Sequence, residues 1–155
     1  MTPAIKVAEK AGIAFDTHRY EHDPASEAYG LEASEKLGLP PECVFKTLIA
    51  ELDTGKLVAA LVPVHRQLDL KALATACGTK KAAMAAVAAA ERSSGYVAGG
   101  ISPLGQRKRL PTVVDDSMLG QARVYVSAGR RGLEISLAPD DLIRLCGARP
   151  APIAR

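Results

Sequence analysis

The chain has no tryptophan, two phenylalanines and four tyrosines, so aromatic residues make up 4% of its 155 positions. That is too few for a platform on which successive bases of a single strand stack. Any contact with RNA is therefore expected to lean on phosphates and shape. Cysteine is scarce too: Cys43, Cys77 and Cys146 are scattered and odd in number. They read as reduced core thiols of a cytoplasmic protein rather than as a disulfide frame. No stretch approaches 18 apolar residues free of charge, and no basic-then-apolar leader opens the chain, so neither a membrane span nor a secretion signal is expected. His18, His22 and His65 have no metal-ligand spacing with one another or with the cysteines. A GxSxG or Cys–His nucleophile pattern, a P-loop and a dinucleotide fingerprint are all missing. ATP, NAD and other cofactors, and a metal, are not expected.

What is present fits one globular domain over residues 1–155. Hydrophobic residues make up 48% and charged ones 24%. A chain of this length buries about two-thirds of its unfolded surface. The net charge of +3 permits contact with nucleic acid without demanding it. Thr2 and Pro3 start a helix that Gly12 closes, and residues 13–21 alternate as a strand. Ser26 is expected to cap a helix through Lys36, ended by Gly38. Residues 44–51 and 56–64 form a hairpin across Asp53-Thr54-Gly55. Asp69 caps a helix through Ala76, and the alanine-rich stretch from Lys80 to Arg92 has helical propensity. A strand over 112–115, a hairpin of 123–127 with 133–137, and a helix from Pro139 to Gly147 complete the order. The tail, 148–155, is expected to be loose. Hairpins mixed with helices, without regular βαβ alternation, argue for an α+β fold.

Chemistry concentrates in residues 93–111, SSGYVAGGISPLGQRKRLP. Residues 95–98 read as a short apolar strand that breaks at Gly99-Gly100, where a ligand can approach the main chain without meeting a Cβ. Ser102-Pro103 fixes a turn, and Arg107, Lys108 and Arg109 follow. Free N–H groups beside three cations suit an anion or a developing oxyanion. An ordinary surface loop followed by a solvated charge run accounts for the same residues. Lys46 is the sharpest single residue, because an ammonium inside an apolar strand is costly unless it faces a cleft or has a partner. Protection of a sheet edge is its structural alternative. Thr47 is expected on the opposite face.

The loop GGISPLGQRKRLP, with VFKTL at 44–48, resembles the YbaK/EbsC family of free-standing aminoacyl-tRNA deacylases, relatives of the editing domain inserted in some prolyl-tRNA synthetases. The likeness runs from TPAIKVAEKAGI through YEHDP and LDLKALA to RRGLEISLAPDDL. It implies a mixed, mostly antiparallel sheet curled towards a barrel with flanking helices, and a short strand ahead of the alanine-rich helix. It implies clearance of cysteine from proline tRNA, and possibly from cysteine tRNA, with the substrate thiol attacking its own ester carbonyl. A water-using deacylase for another small residue such as alanine, or a non-catalytic module that binds tRNA or a synthetase, are the alternatives. By resemblance Lys46 is catalytic, and Tyr20, Tyr29, Thr47, Gly99, Gly100, Ile101, Ser102, Pro103, Ser127, Gly129, Arg130 and Glu134 contact the aminoacyl group. Arg107, Lys108 and Arg109 would meet tRNA phosphates, and a prolyl-tRNA synthetase is a transient partner. One departure stands out: the family pattern GLDI is GLEI here, with Glu134 one methylene longer than the aspartate.

Overall fold

A computed structural model of residues 1–155 places helix α1 (Pro3–Ala11) where its capping signals fall. Thr2 Oγ1 accepts from the Ile5 N–H, Pro3 opens the first turn, and Gly12 closes the helix at φ 69°. Next come β1 (Phe15–Arg19), α2 (Tyr29–Leu37), β2 (Phe45–Leu52), β3 (Leu57–Pro63) and α3 (Leu70–Ala76). The chain continues as β4 (Ala82–Met84), α4 (Val87–Ser94), β5 (Thr112–Asp115), β6 (Val124–Arg130), β7 (Leu133–Leu137), α5 (Pro139–Cys146) and β8 (Arg149–Ala151). No helix is long and apolar enough to cross a membrane.

The strands form two sheets that do not close into a barrel. One has the order β1-β7-β6 and is antiparallel throughout; the other has the order β4-β2-β3-β5-β8. In the second, β2 pairs antiparallel with both β3 and β4, whereas the β3–β5 and β5–β8 ladders are parallel. The fold is thus α+β, with mixed strands and helices outside. Strand β3 explains how the layers stack, since its alternate side chains enter two cores. Leu61 joins Phe45, Val114, Met118 and the inner faces of β6 and β7, closed over by Ala4 and Ala8 of α1 and Leu142 of α5. Ala60 and Val62 join Val58, Leu68, Leu73 and Ile153 on the other side.

Three expectations need correction. Residues 95–98 are not a strand: α4 runs on to Ser94, and Gly95 caps it in the left-handed region at φ 81°. Tyr96 then turns inward, and its hydroxyl donates to Leu104 O at 2.7 Å. Helix α2 does not begin behind Ser26, because Asp23 captures that segment. Its carbonyl accepts from Ser26 N–H and its Oδ1 from Ala25 N–H. The helix starts at Tyr29 with no side-chain cap. Finally, the tail is not loose. Strand β8 lies parallel to β5, Ile153 is wholly buried, and Asp115 Oδ1 accepts from the N–H groups of Ile153 and Ala154 at 3.1 and 2.9 Å.

One gap in the second sheet positions the site. Strand β4 covers only Ala50 to Leu52 of β2, and at the other end Val44 makes a single parallel bridge to Tyr125 of β6. Between the two, Lys46, Thr47 and Leu48 of the VFKTL segment have no strand ladder on that side.

Candidate active site

A cavity of about 150 Å³ opens at the uncovered half of β2. Four successive residues of that strand, Phe45, Lys46, Thr47 and Leu48, line it. Strict alternation would put Lys46 and Thr47 on opposite faces, but a cavity that wraps a strand edge meets both. The remaining lining comes from Tyr20 after β1, Tyr29 and Gly30 at the start of α2, and Val64 after β3. Gly99 and Ile101 of the loop, Ser127 of β6 and Glu134 of β7 complete it.

Eight of the residues singled out by sequence therefore meet here: Lys46, Tyr20, Tyr29, Thr47, Gly99, Ile101, Ser127 and Glu134. The others do not line the cavity, and their positions show what holds it together. A Cβ on Gly100 would sit 2.7 Å from Arg130 Cα, so the close approach that needs glycine comes from the β6–β7 turn, not from a ligand. Ser102 is fully buried, and its Oγ accepts from Leu104 N–H. Pro103 faces a separate cavity with Leu104 and Cys146. Gly129, at φ 112°, lies against the Tyr96 ring and Thr2, and Arg130 is exposed. Arg107, Lys108 and Arg109 are exposed and none reaches the cavity. The main chain of Arg107 and Lys108 is tied to Ser94 and Ser93, while the Arg109 guanidinium lies at the α5 terminus beside Gly147.

Sequence reading missed Gly30, Phe45, Leu48 and Val64. Gly30 had a legible signal only in hindsight of packing: a Cβ there would come within 2.6 Å of Val64 Cγ1. Glycine at this point lets the start of α2 close down over β2.

A lysine ammonium and a glutamate carboxyl share the cavity without pairing. No ion pair includes Lys46 or Glu134. Burial lowers the Lys46 ammonium below its usual range. Burial likewise pushes the Glu134 carboxyl, 6% exposed, up to about 8. Nothing else contributes to either shift, so both groups face the cavity without a compensating partner. Tyr20 is raised to about 12, first by burial and then by the negative potential of Glu134, so its hydroxyl keeps its proton. Thr47 Oγ1 is buried and has no hydrogen-bond partner.

The tyrosine walls are fastened from outside. Burial alone would raise the Glu32 carboxyl, but contacts with His22 and the Asp23 N–H hold it below the ordinary range. His22 Nδ1 lies 2.6 Å from Glu32 Oε1, and the Asp23 N–H donates to Glu32 Oε2 at 2.8 Å. This knot joins the segment after Tyr20 to the helix that begins with Tyr29.

The cavity offers no activated nucleophile. Cys43 and Cys146 point their thiols at the Pro40 and Pro103 carbonyls, and no cysteine lines it. No histidine does either: His18 bonds Ser136 and His22 bonds Glu32. Ser127 Oγ accepts from Gly129 N–H and has no basic partner. No group of three His, Cys, Asp or Glu is placed to hold a metal ion. Donors are better supplied. The N–H groups of Gly99 and Ile101 have no acceptor within the chain, whereas that of Gly100 is spent on Val97 O at 2.9 Å.

A family model described as an aminoacyl-tRNA editing domain matches residues 23–145. A protein of Enterococcus faecalis, provisionally named Cys-tRNA(Pro)/Cys-tRNA(Cys) deacylase EbsC, is 33% identical over 98% of this chain and 92% of its own length. Among solved structures, a hypothetical protein superposes with a TM-score of 0.88 at 22% identity, covering 99% of both chains. Another, provisionally described as a trans-editing enzyme for prolyl-tRNA synthetase, gives 0.84 at 23% identity, covering 100% of this chain and 99% of its own. At those identities the two structures speak for the fold.

Proposed function

The chain belongs to the aminoacyl-tRNA editing domain family, and from that membership we propose that it removes cysteine wrongly attached to proline tRNA. It is an aminoacyl-tRNA deacylase, and aminoacylated tRNA is its substrate. The choice of cysteine rests on one observation: a cavity with donors and charge but no nucleophile–base pair of its own. The related deacylase from Enterococcus faecalis carries cysteinyl-tRNA in its name, which supports the same choice.

In this reading the substrate supplies the nucleophile. The cysteinyl sulfur, losing its proton, attacks its own ester carbonyl carbon. A carbon–sulfur bond forms, closing a four-membered thioester ring. The bond to the terminal ribose oxygen breaks, and that oxygen leaves as a hydroxyl carrying the proton that the thiol gave up. Water later opens the ring to free cysteine. The protein contributes geometry and electrostatics. Holding sulfur and carbonyl at attack distance is worth up to roughly 7–11 kcal/mol in favourable intramolecular cases. Lys46 and the unengaged N–H groups of Gly99 and Ile101 face the oxygen where negative charge develops. Glu134 receives the substrate α-ammonium, which draws its carboxyl back to carboxylate on binding. Glu134 forms no ion pair with Lys46, which supports its being free to take the ammonium.

A second reading draws on Glu134 alone. A carboxyl raised to about 8 has basicity enough to deprotonate a water, which would cleave alanine esters as readily as cysteine esters. One comparison separates the two. With cysteine, serine and alanine each carried on proline tRNA, the thiol mechanism expects the sulfur-free esters to be cleaved more than about 10³-fold more slowly, beyond the roughly 10–200-fold that shape supplies. Shape alone yields only about 1–3 kcal/mol between residues so similar in size. Equal rates for cysteine and alanine would end the thiol reading and leave Glu134 as a base. In the same assay Lys46→Ala should lose roughly 10²–10³-fold in rate, the usual cost of one oxyanion donor.

Aromatic residues make up only 4% of the chain and the net charge is only +3, so it has little with which to tell one tRNA from another. We assign that choice to a transient complex with prolyl-tRNA synthetase. Tight binding of proline tRNA alone, with other tRNAs refused, would remove the need for it.

A further inference from the structure

Both backbone polar groups of Ala98 are held by charged side chains from other elements. Its N–H donates to Glu91 Oε2 of α4 at 2.8 Å. Its carbonyl accepts twice from Arg131, from Nε at 2.9 Å and from Nη2 at 2.6 Å. The same guanidinium lies 4.5 Å from the centre of the Tyr29 ring. A Cβ on Gly99 would come within 2.7 Å of both Arg131 Nε and Tyr29 Cδ2, so the three residues are in close contact. Arg131 thus touches three walls of the cavity at once: the loop, the start of α2 and its own β6–β7 turn. Arg130, the residue singled out by resemblance, supplies only backbone against Gly100.

A trans peptide points its carbonyl and its N–H in opposite directions. Fixing Ala98 O outward on an exposed arginine therefore turns the Gly99 N–H the other way, towards the cavity that Gly99 lines. That N–H has no acceptor in the chain. Left-handed glycine at φ 85° gives the peptide freedom that a single carbonyl contact would not restrain. A bidentate planar clamp on its carbonyl does restrain it, and the Glu91 carboxylate fixes the preceding Val97–Ala98 peptide through the Ala98 N–H.

We propose that Arg131 and Glu91 are positioning residues: Arg131 holds the Ala98–Gly99 peptide with its N–H aimed at the carbonyl oxygen of the bound ester, and Glu91 anchors the peptide before it. The inference rests on the reading of the cavity given above. A donor aimed at the oxyanion acts in the transition state, so its misdirection lowers kcat and leaves KM nearly untouched.

The test is steady-state deacylation of cysteinyl-tRNA(Pro) by Arg131→Ala, Arg131→Lys, Glu91→Gln, Glu91→Ala and Lys46→Ala, with a melting curve for each. Arg131→Ala is expected to lose about 10²-fold in kcat, as misplaced catalytic groups do, with KM changed less than about threefold. Arg131→Lys should recover part of that, since one ammonium reaches Ala98 O but cannot grip it twice. Glu91→Gln keeps an acceptor oxygen for the Ala98 N–H and should stay near wild type, whereas Glu91→Ala should follow Arg131→Ala. A rise in KM at unchanged kcat for Arg131→Ala would make it an RNA contact and overturn the proposal. If Arg131→Ala melts too early to assay, the Gln and Ala variants of Glu91 decide, and equal kcat in both overturns it. A fully active Lys46→Ala would sink the reading of the cavity and this inference together; an inactive one beside a normal Arg131→Ala sinks this inference alone.

Discussion

Burial holds the Glu134 carboxyl near 8, well above the ordinary 4.5, and that has a consequence for stability. Below pH 4.5 both the folded and unfolded chains carry the proton. As the pH rises towards 8 the unfolded chain releases it while the folded one keeps it, so stability falls through that window. The slope is about 1.4 kcal/mol per pH unit at most. Glu134→Gln removes the titration, and its amide remains in the same cavity. The variant should therefore gain stability over the wild type between pH 5 and pH 8, measured by urea unfolding at each pH. Parallel pH profiles for the two proteins would mean that the carboxylate is well solvated in the fold. Glu32 and Asp115 do not confuse the measurement. Burial raises each, but hydrogen bonds outweigh it and hold both low, so their contributions are lost only as the pH falls below the ordinary carboxylate range.

Strand β2 is the element on which the site depends, because its first half is left uncovered by β4. Strand β3 is the opposite case, buried on both faces and enclosed by β2 and β5. Beyond β5 the sheet is closed by β8 and the last residues, whose local sequence carries no sign of that anchoring. The tail is secured by residues distant along the chain. Arg66 Nη2 donates to Ala154 O, and Gln67 and Arg155 exchange backbone hydrogen bonds. Ile153→Ala should consequently cost about 2–5 kcal/mol in urea unfolding, as for other wholly buried aliphatic side chains. A cost under about 0.5 kcal/mol would show that the tail is peripheral after all. Since Ile153 packs away from the cavity, deacylation by the folded variant should match the wild type.

At the scale of the molecule, a net charge of +3 is modest for a protein that meets RNA. Arg107 and Lys108 stand exposed at the end of α4 and are free to meet phosphates outside the cavity. Their contribution should appear in KM and not in kcat. Raising KCl from about 50 to 200 mM is expected to raise KM for cysteinyl-tRNA. Exchanging both residues for alanine should flatten that dependence. An unchanged salt profile in the double variant would place the phosphate contacts elsewhere.

The sequence determined the elements and the chemical character of the site. Capping residues such as Thr2 and Asp69 and the Asp-Thr-Gly hairpin are local signals, and the structure follows them. Lys46 stood out because an ammonium between apolar neighbours is costly wherever the strand lies. Tertiary structure alone decided which face is open. Pairing is a relation between distant segments, so neither the short reach of β4 nor the anchoring of the tail by Asp115 leaves a mark on local composition. The same holds for Arg131. As one of two adjacent arginines in a turn it looks like solvated charge, and only the approach of Ala98 and Tyr29, 33 and 102 residues earlier in the chain, gives it a carbonyl to grip and a ring to cover.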